Sequence, residues 1–320
     1  MEPWDSYKVK PAGFIPSNTI NNACREFTVV THTSHVESAL GIINAREIKP
    51  GLVYDKSILN TERILVSWLS PNHWHPGYRY GNIQFEFDFF KISQGKNFYW
   101  VEVIDYSPHA CRILITDKSH DGQLQRYDPL KGNGPWWYDE RSNKHFFNGD
   151  FCLEFMIEAP VELSKLTSFS FVDHHGGMCS AHKNNIGACD QLGLSASAGG
   201  ALFFARAIAT GVDLSGLATF LVKPDGKAGI YLQAAYEHLL YKAYRPPPGF
   251  QFSGSLDEWS SDILLTHARS FIAAYAYGRQ DDAKHYHGLF KSEYVFRDAI
   301  AAVVAESLKI NWRRLFEDTI

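Results

Sequence analysis

The spacing of the apolar residues changes once along this chain, near residue 190, from the pattern of strands to the pattern of helices. Before this point, short runs of β-branched and aromatic residues recur between turn signals; after it, apolar residues recur at intervals of three and four. The run 83–89 alternates strictly, which places Ile83, Phe85 and Phe87 on one face of a strand. The sequence therefore predicts an α+β fold, with a β-rich part followed by a mostly helical C-terminal part.

The same patterns predict the individual elements. Ser34 stands before an apolar periodic stretch and Glu37 follows three residues later, so a capping box predicts a helix over 35–44. The Gly-rich, charged stretch 122–149 predicts a long loop or hairpin between strands. The predicted strands are 27–32, 64–69, 83–89, 98–104, 112–116 and 151–157, and the later helices are 201–209, 229–244, 256–277, 292–308 and 312–316.

These elements predict three segments: an N-terminal extension over 1–24, a β-rich domain over 25–189 and a helical domain over 190–320. A proline run over 245–249 is predicted to separate two helices as an extended connector. Within 256–277, residues at spacings of three and four are predicted to face a core. They are Trp259, Ile263, Thr266, Ser270, Ala273 and Tyr277.

Charge and cysteine content limit the class of protein. The chain has 31 basic and 35 acidic residues, which gives a net charge of −4. This charge does not indicate strong sequence-independent binding to nucleic acid. The N-terminus is charged and no long apolar run follows, which argues against a signal peptide or a membrane span. The five cysteines include no C-x-x-C pair. We therefore expect a cytoplasmic protein that makes no membrane contact.

Several common enzyme motifs do not occur in the sequence. It contains no G-x-G-x-x-G, Walker loop, G-x-S-x-G or H-E-x-x-H, so it does not support a Rossmann oxidoreductase, a P-loop NTPase, a serine hydrolase or a zincin. Gly199 and Gly200 are predicted to lie in the tightly packed start of a helix.

Three polar features stand out in the β-rich part. The sequence Thr-His-Thr-Ser ends the first predicted strand and contains His32; Tyr78 and Tyr80 lie just before a later strand. Glu154 is the only charged residue in the strand 151–157, and alternation places it on the face opposite Phe155. A carboxylate in mid-strand lies either on a solvated sheet face or in a cleft.

The order of these features resembles the ADP-ribosyltransferase superfamily. The chain begins this pattern with a strand that ends in His-Thr-Ser, followed by a helix and an Arg-Glu-Ile-Lys-Pro-Gly turn over 46–51. A Ser/aromatic strand, a Tyr-Gly strand and a late strand with one Glu come next. The ordered triad of the His-Tyr-Glu branch is matched by His32, Tyr80 and Glu154. The chain is most similar to bacterial toxins of the DarT kind and to transferases of toxin–antitoxin–chaperone phage-defence systems. The resemblance implies a split β-sheet catalytic domain over 25–189 and NAD as the ADP-ribose donor.

The resemblance also implies which residues bind NAD. Tyr80, or Tyr78 as the alternative, would stack on the nicotinamide ring. Arg63 would pair with the pyrophosphate, with Arg46 or Arg79 as alternatives. The implied cofactor-binding residues are His32, Thr33, Ser34, Arg63, Tyr78 and Tyr80.

The chemistry of the residues agrees with this resemblance. ADP-ribose transfer breaks a glycosidic bond to a positively charged nicotinamide through a transition state with oxocarbenium character. Because this leaving group needs no protonation, one carboxylate can suffice. Glu154 is expected to bind the ribose 2′-hydroxyl, to stabilise the developing positive charge and to orient or deprotonate the attacking group. His32 would hold the adenosine-side ribose.

The acceptor is predicted to be a macromolecule, first RNA or single-stranded DNA, with protein as the alternative. Aromatic residues make up 14% of the chain, and Trp74, 78–80 and 136–138 are predicted in loops, where rings stack on unpaired bases. The resemblance adds an antitoxin protein as a partner and a role in anti-phage defence or growth arrest. Local positive charge would come from Lys118, Arg126, Lys131 and Arg141.

Two other functions stay open. An NAD glycohydrolase would use the same Glu154 with water as the acceptor, and a non-catalytic binding module would use the sheet as a platform. A Gly-rich stretch also contains five potential zinc ligands, but its spacing lacks the usual paired geometry, so no metal is predicted. These residues are His174, His175, Cys179, His182 and Cys189.

Overall fold

A computed structural model describes residues 24–53, 57–72, 80–104, 110–131, 134–172, 196–221, 239 and 261–311 of this chain. The chain divides into two compact units. The first comprises the chain up to His32, Arg46–His73 and Phe85–Thr167; the second comprises Thr33–Ala45, Trp74–Gln84 and Ser168–Ile320. The predicted domain boundary at 189/190 lies outside the described residues.

The fold is mixed α+β, with several sheets and a helical C-terminal region. The strands are β1 Cys24–Phe27, β2 Val29–Ser34, β3 Glu47–Ile48, β4 Ser67–Leu69, β5 Ile83–Asp88, β6 Asn97–Ile104, β7 Ala110–Thr116, β8 Gln125–Arg126, β9 Trp136–Asp139, β10 Lys144–Asn148, β11 Cys152–Ile157, β12 Val161–Glu162 and β13 Leu166–Phe171. The helices are α1 Val36–Ala45, α2 Ile58–Thr61, α3 Phe89–Ser93, α4 Ala196–Thr210, α5 Ala218–Leu221, α6 Ser261–Ala276, α7 Gln280–Gly288 and α8 Glu293–Leu308.

The strands of the described residues form four sheets. The largest has the order β4-β11-β7-β6-β8, in which β11 and β7 are parallel and the other pairs are antiparallel. A second sheet, β1-β10-β9, contains the hairpin β9–β10, so the hairpin predicted within 122–149 is confirmed. The remaining sheets are β12-β3 and β13-β5-β2. All six predicted strands correspond to strands in the structure.

Strand β11 of the five-stranded sheet is buried on both faces. On one face the Phe155 ring lies 4.6 Å from that of Phe89 and 5.2 Å from that of Trp136. On the other face Met156 packs with Tyr99, Leu114 and further apolar residues. Strand β11 therefore has apolar residues packed on both sides, and Glu154 is buried among them.

Packing overrides one prediction for α6. Its buried residues are Leu264, Ala268, Phe271, Ile272, Ala274 and Ala276. The predicted stripe includes Ile263, which is 58% exposed, and Trp259, which lies outside the described residues. The two stripes lie at similar spacings, and the stripe with the larger aliphatic and aromatic area is the buried one. The predicted stripe was therefore wrong.

Helices of the second unit are held by small residues and by side-chain caps. Helix α4 packs on α1, α6 and α8, and Gly199 in its first turns approaches Asn82 so closely that a Cβ would lie 2.7 Å from the Asn82 Cβ. This confirms a tightly packed helix start. Ser292 caps α8, because its hydroxyl accepts from the Val295 N–H.

The predicted capping box of α1 was wrong. The Ser34 hydroxyl has no hydrogen-bond partner in the described part of the chain. The Ala39 N–H donates to the carbonyl of His35, so the helix begins at Val36. The Glu37 carboxylate instead lies 3.1 Å from the Arg206 guanidinium of α4, and this tertiary contact replaces the local one.

Some predicted elements lie outside the described residues: the N-terminal extension 1–24 up to its last residue, most of the helix 229–244, the connector 245–249 and the helix 312–316. Helix α7 was not predicted, because only Ala283 and His287 of its nine residues are buried and no apolar stripe marks it. Across the described helices, none is long and apolar enough to cross a membrane.

Candidate active site

Glu154 lies in the middle of the five-stranded sheet, directly opposite Arg112 on the neighbouring strand β7. Arg112 in turn lies opposite Glu102 on β6. Three consecutive strands therefore present a carboxylate, a guanidinium and a second carboxylate in one row, and we call these three residues the charge triad.

The charge triad is closely bonded and buried. Arg112 donates from Nε to Glu154 Oε2 at 2.8 Å and from Nη1 to Glu102 Oε1 at 2.9 Å. The side chains of Arg112 and Glu102 are 1% exposed and that of Glu154 is 7% exposed. Of the two carboxylates, Glu154 is therefore the slightly more exposed one.

The two carboxylates keep Arg112 protonated. Burial on its own lowers the pKa of Arg112, but the charges and hydrogen bonds of Glu154 and Glu102 outweigh it and raise that pKa above its ordinary value. Both glutamates thus face a permanent cation, as a buried carboxylate requires.

Trp68 joins the charge triad to His32. Its ring faces Arg112, with the guanidinium carbon 4.9 Å from the ring centroid. Its carbonyl oxygen lies 2.9 Å from His32 Nδ1. The backbone of Thr31 pairs with Ser70 in both directions, which aligns β2 with the end of β4. A series of contacts therefore links His32 to Glu154 through Trp68 and Arg112.

The tautomer of His32 follows from this contact. A carbonyl oxygen only accepts, so Nδ1 carries the proton and Nε2 has a free lone pair when the ring is neutral. Burial lowers the pKa of His32, and the bond to the Trp68 carbonyl opposes this only partly. At neutral pH His32 is therefore a neutral imidazole that accepts a hydrogen bond at Nε2.

A side-chain bridge fixes the first residues of β11. The Asn72 carboxamide oxygen accepts from the Leu153 N–H at 2.8 Å, and the Ser70 hydroxyl donates to the Leu153 carbonyl at 2.7 Å. These bonds continue the β4–β11 pairing beyond its last backbone pair. The backbone of Leu153, which precedes Glu154, is therefore fixed by side chains that follow β4.

Thr33, Ser34 and Tyr80 belong to the second unit. Gly81, which follows Tyr80, has φ +119°, and a Cβ there would lie 2.2 Å from the Ser34 carbonyl oxygen. This close approach brings the turn at Tyr80 against Ser34. The Thr33 and Ser34 hydroxyls are buried, with no hydrogen-bond partner among the residues described.

The arginines predicted to bind pyrophosphate have different surroundings. Arg63 and Arg46 are exposed and have left-handed backbones, with φ of 57° and 62°. Arg79 and Tyr78 lie outside the described residues. Arg63 as a pyrophosphate ligand stays a prediction.

The aromatic hairpin does not offer its tryptophans to a ligand. Trp136 is 1% exposed and Trp137 8% exposed, and Trp136 stacks on Tyr127 with ring centroids 5.7 Å apart. The prediction that 136–138 forms an exposed stacking loop was wrong for both tryptophans, because β9 pairs with β10 and Trp136 packs against Phe155 in the aromatic core. Trp74 lies outside the described residues.

The basic residues predicted to supply local positive charge mostly have acidic partners. Lys118 bonds Glu158 at 2.7 Å, and Arg126 lies 2.6 Å from Asp121. Lys131 lies 3.8 Å from Asp128. Nearby carboxylates therefore neutralise most of the positive charge of these three side chains. This argues against a nucleic-acid-binding groove formed by them.

Sequence reasoning missed Glu102, Arg112 and Trp68. The two charged residues each interrupt an apolar strand, the same signal that identified Glu154. Opposite charges in neighbouring apolar strands predict a buried pair, and this signal was available. Trp68 gave none, because its role depends on its backbone oxygen.

Metal-binding and thiol chemistry have little support in the described part of the chain. It contains no group of three or more His, Cys, Asp or Glu residues able to hold a metal ion. The five potential ligands between His174 and Cys189 lie outside the described residues. Cys111 and Cys152 are free thiols, and burial raises the pKa of both above the ordinary value.

Comparisons of the chain with protein-family models, with curated proteins and with solved structures find no match. The function proposed below therefore depends on the residues and their geometry.

Proposed function

We propose that this protein transfers ADP-ribose from NAD to a macromolecule, with Glu154 as the catalytic carboxylate. The observation that carries the proposal is a series of contacts in the first unit: His32 bonds the Trp68 carbonyl, the Trp68 ring faces Arg112, and Arg112 bonds Glu154. These contacts link an imidazole to a carboxylate through one tryptophan and one arginine.

The carboxylate suits a reaction that develops positive charge. Departure of nicotinamide leaves an oxocarbenium-like ribose, which a fixed negative charge stabilises. Glu154 is held in place by Arg112 and by the bonds of Asn72 and Ser70 to the adjacent backbone. A carboxylate fixed in this way needs little reorganisation when the charge forms.

The histidine suits a sugar hydroxyl. Neutral His32 accepts at Nε2, and ribose hydroxyls are donors that fit such an acceptor. The acceptor at His32 Nε2 therefore fits a ribose hydroxyl of NAD. For Thr33, Ser34 and Tyr80 we propose, from the resemblance alone, contact with NAD and, for Tyr80, stacking on the nicotinamide ring.

The residues predicted to bind a nucleic-acid acceptor are mostly buried or paired in the described structure. Burial of Trp136 and Trp137 and the acidic partners of Lys118 and Arg126 remove the main local features that favoured RNA or single-stranded DNA. Hydrolysis of NAD, with water as the acceptor, is therefore the second candidate function, because it needs no macromolecular surface.

The biological role is proposed from the resemblance alone. A transferase of this kind would act as an intracellular toxin in phage defence or growth arrest, restrained by an antitoxin protein. Induced expression of the wild-type chain should then arrest bacterial growth, and expression of Glu154→Gln should not. Equal growth of the two strains would argue against a toxin.

The biochemical test uses NAD labelled in the ADP-ribose part. The full chain is incubated with it in separate reactions containing RNA, single-stranded DNA, a protein extract or buffer alone. We expect label on one macromolecule, or free ADP-ribose if water is the acceptor. Glu154→Gln should lower the rate by at least about a hundredfold, since it removes the charge and keeps the shape.

A matched control is Glu293→Gln, a buried carboxylate in the second unit. It should keep the wild-type rate if the loss in Glu154→Gln reflects chemistry and not damage to the fold. Full NAD turnover by folded Glu154→Gln would refute the catalytic assignment, and no NAD turnover by the wild type would favour a non-catalytic binding module.

A further inference from the structure

Glu102 occupies its place opposite Arg112 because of an irregularity in β6. The pairing of β6 with β7 runs regularly to Trp100 opposite Ile113 and then shifts, so that Glu102 instead of Val101 lies opposite Arg112. A β-bulge of this kind adds one residue and redirects the side chains that follow. Without it, a valine would face the guanidinium.

Glu102 is also fixed from its other side. Its Oε2 lies 3.3 Å from the backbone N–H of Ile58, and its Oε1 accepts from Arg112. Because its side chain is 1% exposed, a ligand does not reach it. Glu102 therefore influences a bound ligand without touching it, through its own charge and through its bond to Arg112.

One guanidinium thus serves two carboxylates. If Glu154 were the sole partner of Arg112, the pair would be close to neutral and would attract a cation weakly. Sharing Arg112 with Glu102 leaves Glu154 more negative toward a ligand. The same two anchors, together with the Trp68 ring, keep the guanidinium from turning away.

We propose that Glu102 is a positioning residue of this site: it holds Arg112 from the side opposite Glu154 and so fixes the place and the negative field of the Glu154 carboxylate. The effect on a cationic ligand rests on the proposed NAD chemistry. The effect on Glu154 itself does not.

The first test measures the ionisation of Glu154 directly. In full-length protein with carboxyl-labelled glutamate, the Glu154 carbon signal is identified by its loss in Glu154→Gln and is followed against pH. We expect its midpoint to fall in Glu102→Gln, since Arg112 then acts on Glu154 alone. Cys111 and Cys152, two thiols that interact with Glu154, stay neutral over this range because burial raises their pKa.

Two further variants keep this test decisive. Glu102→Asp withdraws the carboxylate by one methylene and should lower the midpoint less than Glu102→Gln does, which also covers the case in which Glu102→Gln does not fold. Glu293→Gln should leave the midpoint unchanged. A midpoint for Glu154 that stays the same or rises in the Glu102 variants would overturn the proposal.

The second test separates charge from shape in the ligand. NAD carries a positive nicotinamide ring, and NADH is nearly identical with a neutral ring. Glu102→Gln should weaken NAD binding by about fivefold and leave NADH binding unchanged, with Glu102→Asp in between. Equal weakening for both ligands would overturn the charge-setting role. If the wild type binds neither, the proposed NAD function fails, and the Glu154 titration alone decides the role of Glu102.

Discussion

The two units of this protein bury charged side chains in different ways. In the first unit, Glu102, Arg112 and Glu154 meet across three strands that are up to 52 residues apart in sequence. In the second, His287 bonds Glu293 at 3.0 Å across the short turn between α7 and α8. This His287–Glu293 pair, which we call the helical pair, joins residues that are close in sequence and stabilises a turn. The charge triad joins distant strands and contains two acids but one base. The triad therefore carries a net negative charge, whereas the helical pair contains one acid and one histidine.

The largest effect is expected at Arg112. Replacing it with methionine leaves two buried carboxylates without their cation, and the free energy of unfolding should fall by about 3–5 kcal/mol. Urea denaturation measures this loss. As the control, the triple variant Glu102→Leu, Arg112→Met, Glu154→Met replaces the whole triad with apolar side chains and should recover most of the stability. A loss below about 1 kcal/mol in Arg112→Met would mean that the triad is not electrostatically critical.

In the second unit, the most sensitive position is a glycine. Gly81→Ala places a Cβ 2.2 Å from the Ser34 carbonyl oxygen at φ +119°, and should cost about 2–3 kcal/mol of unfolding free energy. Gly41→Ala is the matched control in the same unit: nothing lies within 4 Å of its added Cβ in helix α1, so it should stabilise by about 0.5–1 kcal/mol. Equal effects of the two changes would contradict the close approach at Gly81.

A smaller effect is expected at the helical pair. Glu293→Gln keeps a hydrogen bond to His287 but loses the charge, so unfolding should become easier by about 1–2 kcal/mol. Glu306→Gln, which removes an exposed partner of Arg269, should change stability by less than about 0.5 kcal/mol. Thermal and urea unfolding of both variants give the comparison. If Glu293→Gln proved as damaging as Arg112→Met, the contrast between the units would fail.

The smallest effect concerns pH. Burial lowers the pKa of His145 to about 4, and the Trp136 indole N–H donates to its Nδ1, which favours the neutral ring. The unfolded chain then binds more protons than the folded one between about pH 6.5 and pH 4, so stability should decrease as the pH falls through this window. Because His145 is partly exposed, its share should be about 1 kcal/mol or less. His145→Phe should flatten this part of the pH profile, and an unchanged slope would exclude His145 as its source.

Local pattern predicted the strands around the site well. Alternation identified β5, and the lone charge in β11 identified Glu154, because an isolated carboxylate in an apolar strand needs a special environment. His32 was found from its place at a strand end. Glu102 and Arg112 gave the same local signal, a charge in an apolar strand, and it was overlooked. Their partnership with each other depends on strand order and on a bulge, neither of which local sequence encodes.

The aromatic residues show the same limit. Tryptophans 136 and 137 follow a Gly-Pro turn signal, so local sequence predicts a loop, yet the pairing of β9 with β10 places Trp136 inside the core. The stripe of α6 is a second case, since two helical faces had suitable spacing and burial selected the more apolar one.

The sequence by itself determined that strands precede helices, where most of them lie, and that Glu154 and His32 are unusual, because periodicity and isolated polarity are local properties. Only the tertiary structure decided that Glu154 shares an arginine with a second carboxylate and that Trp68 connects it to His32. These contacts join residues that are distant along the chain, and packing and strand register bring them together.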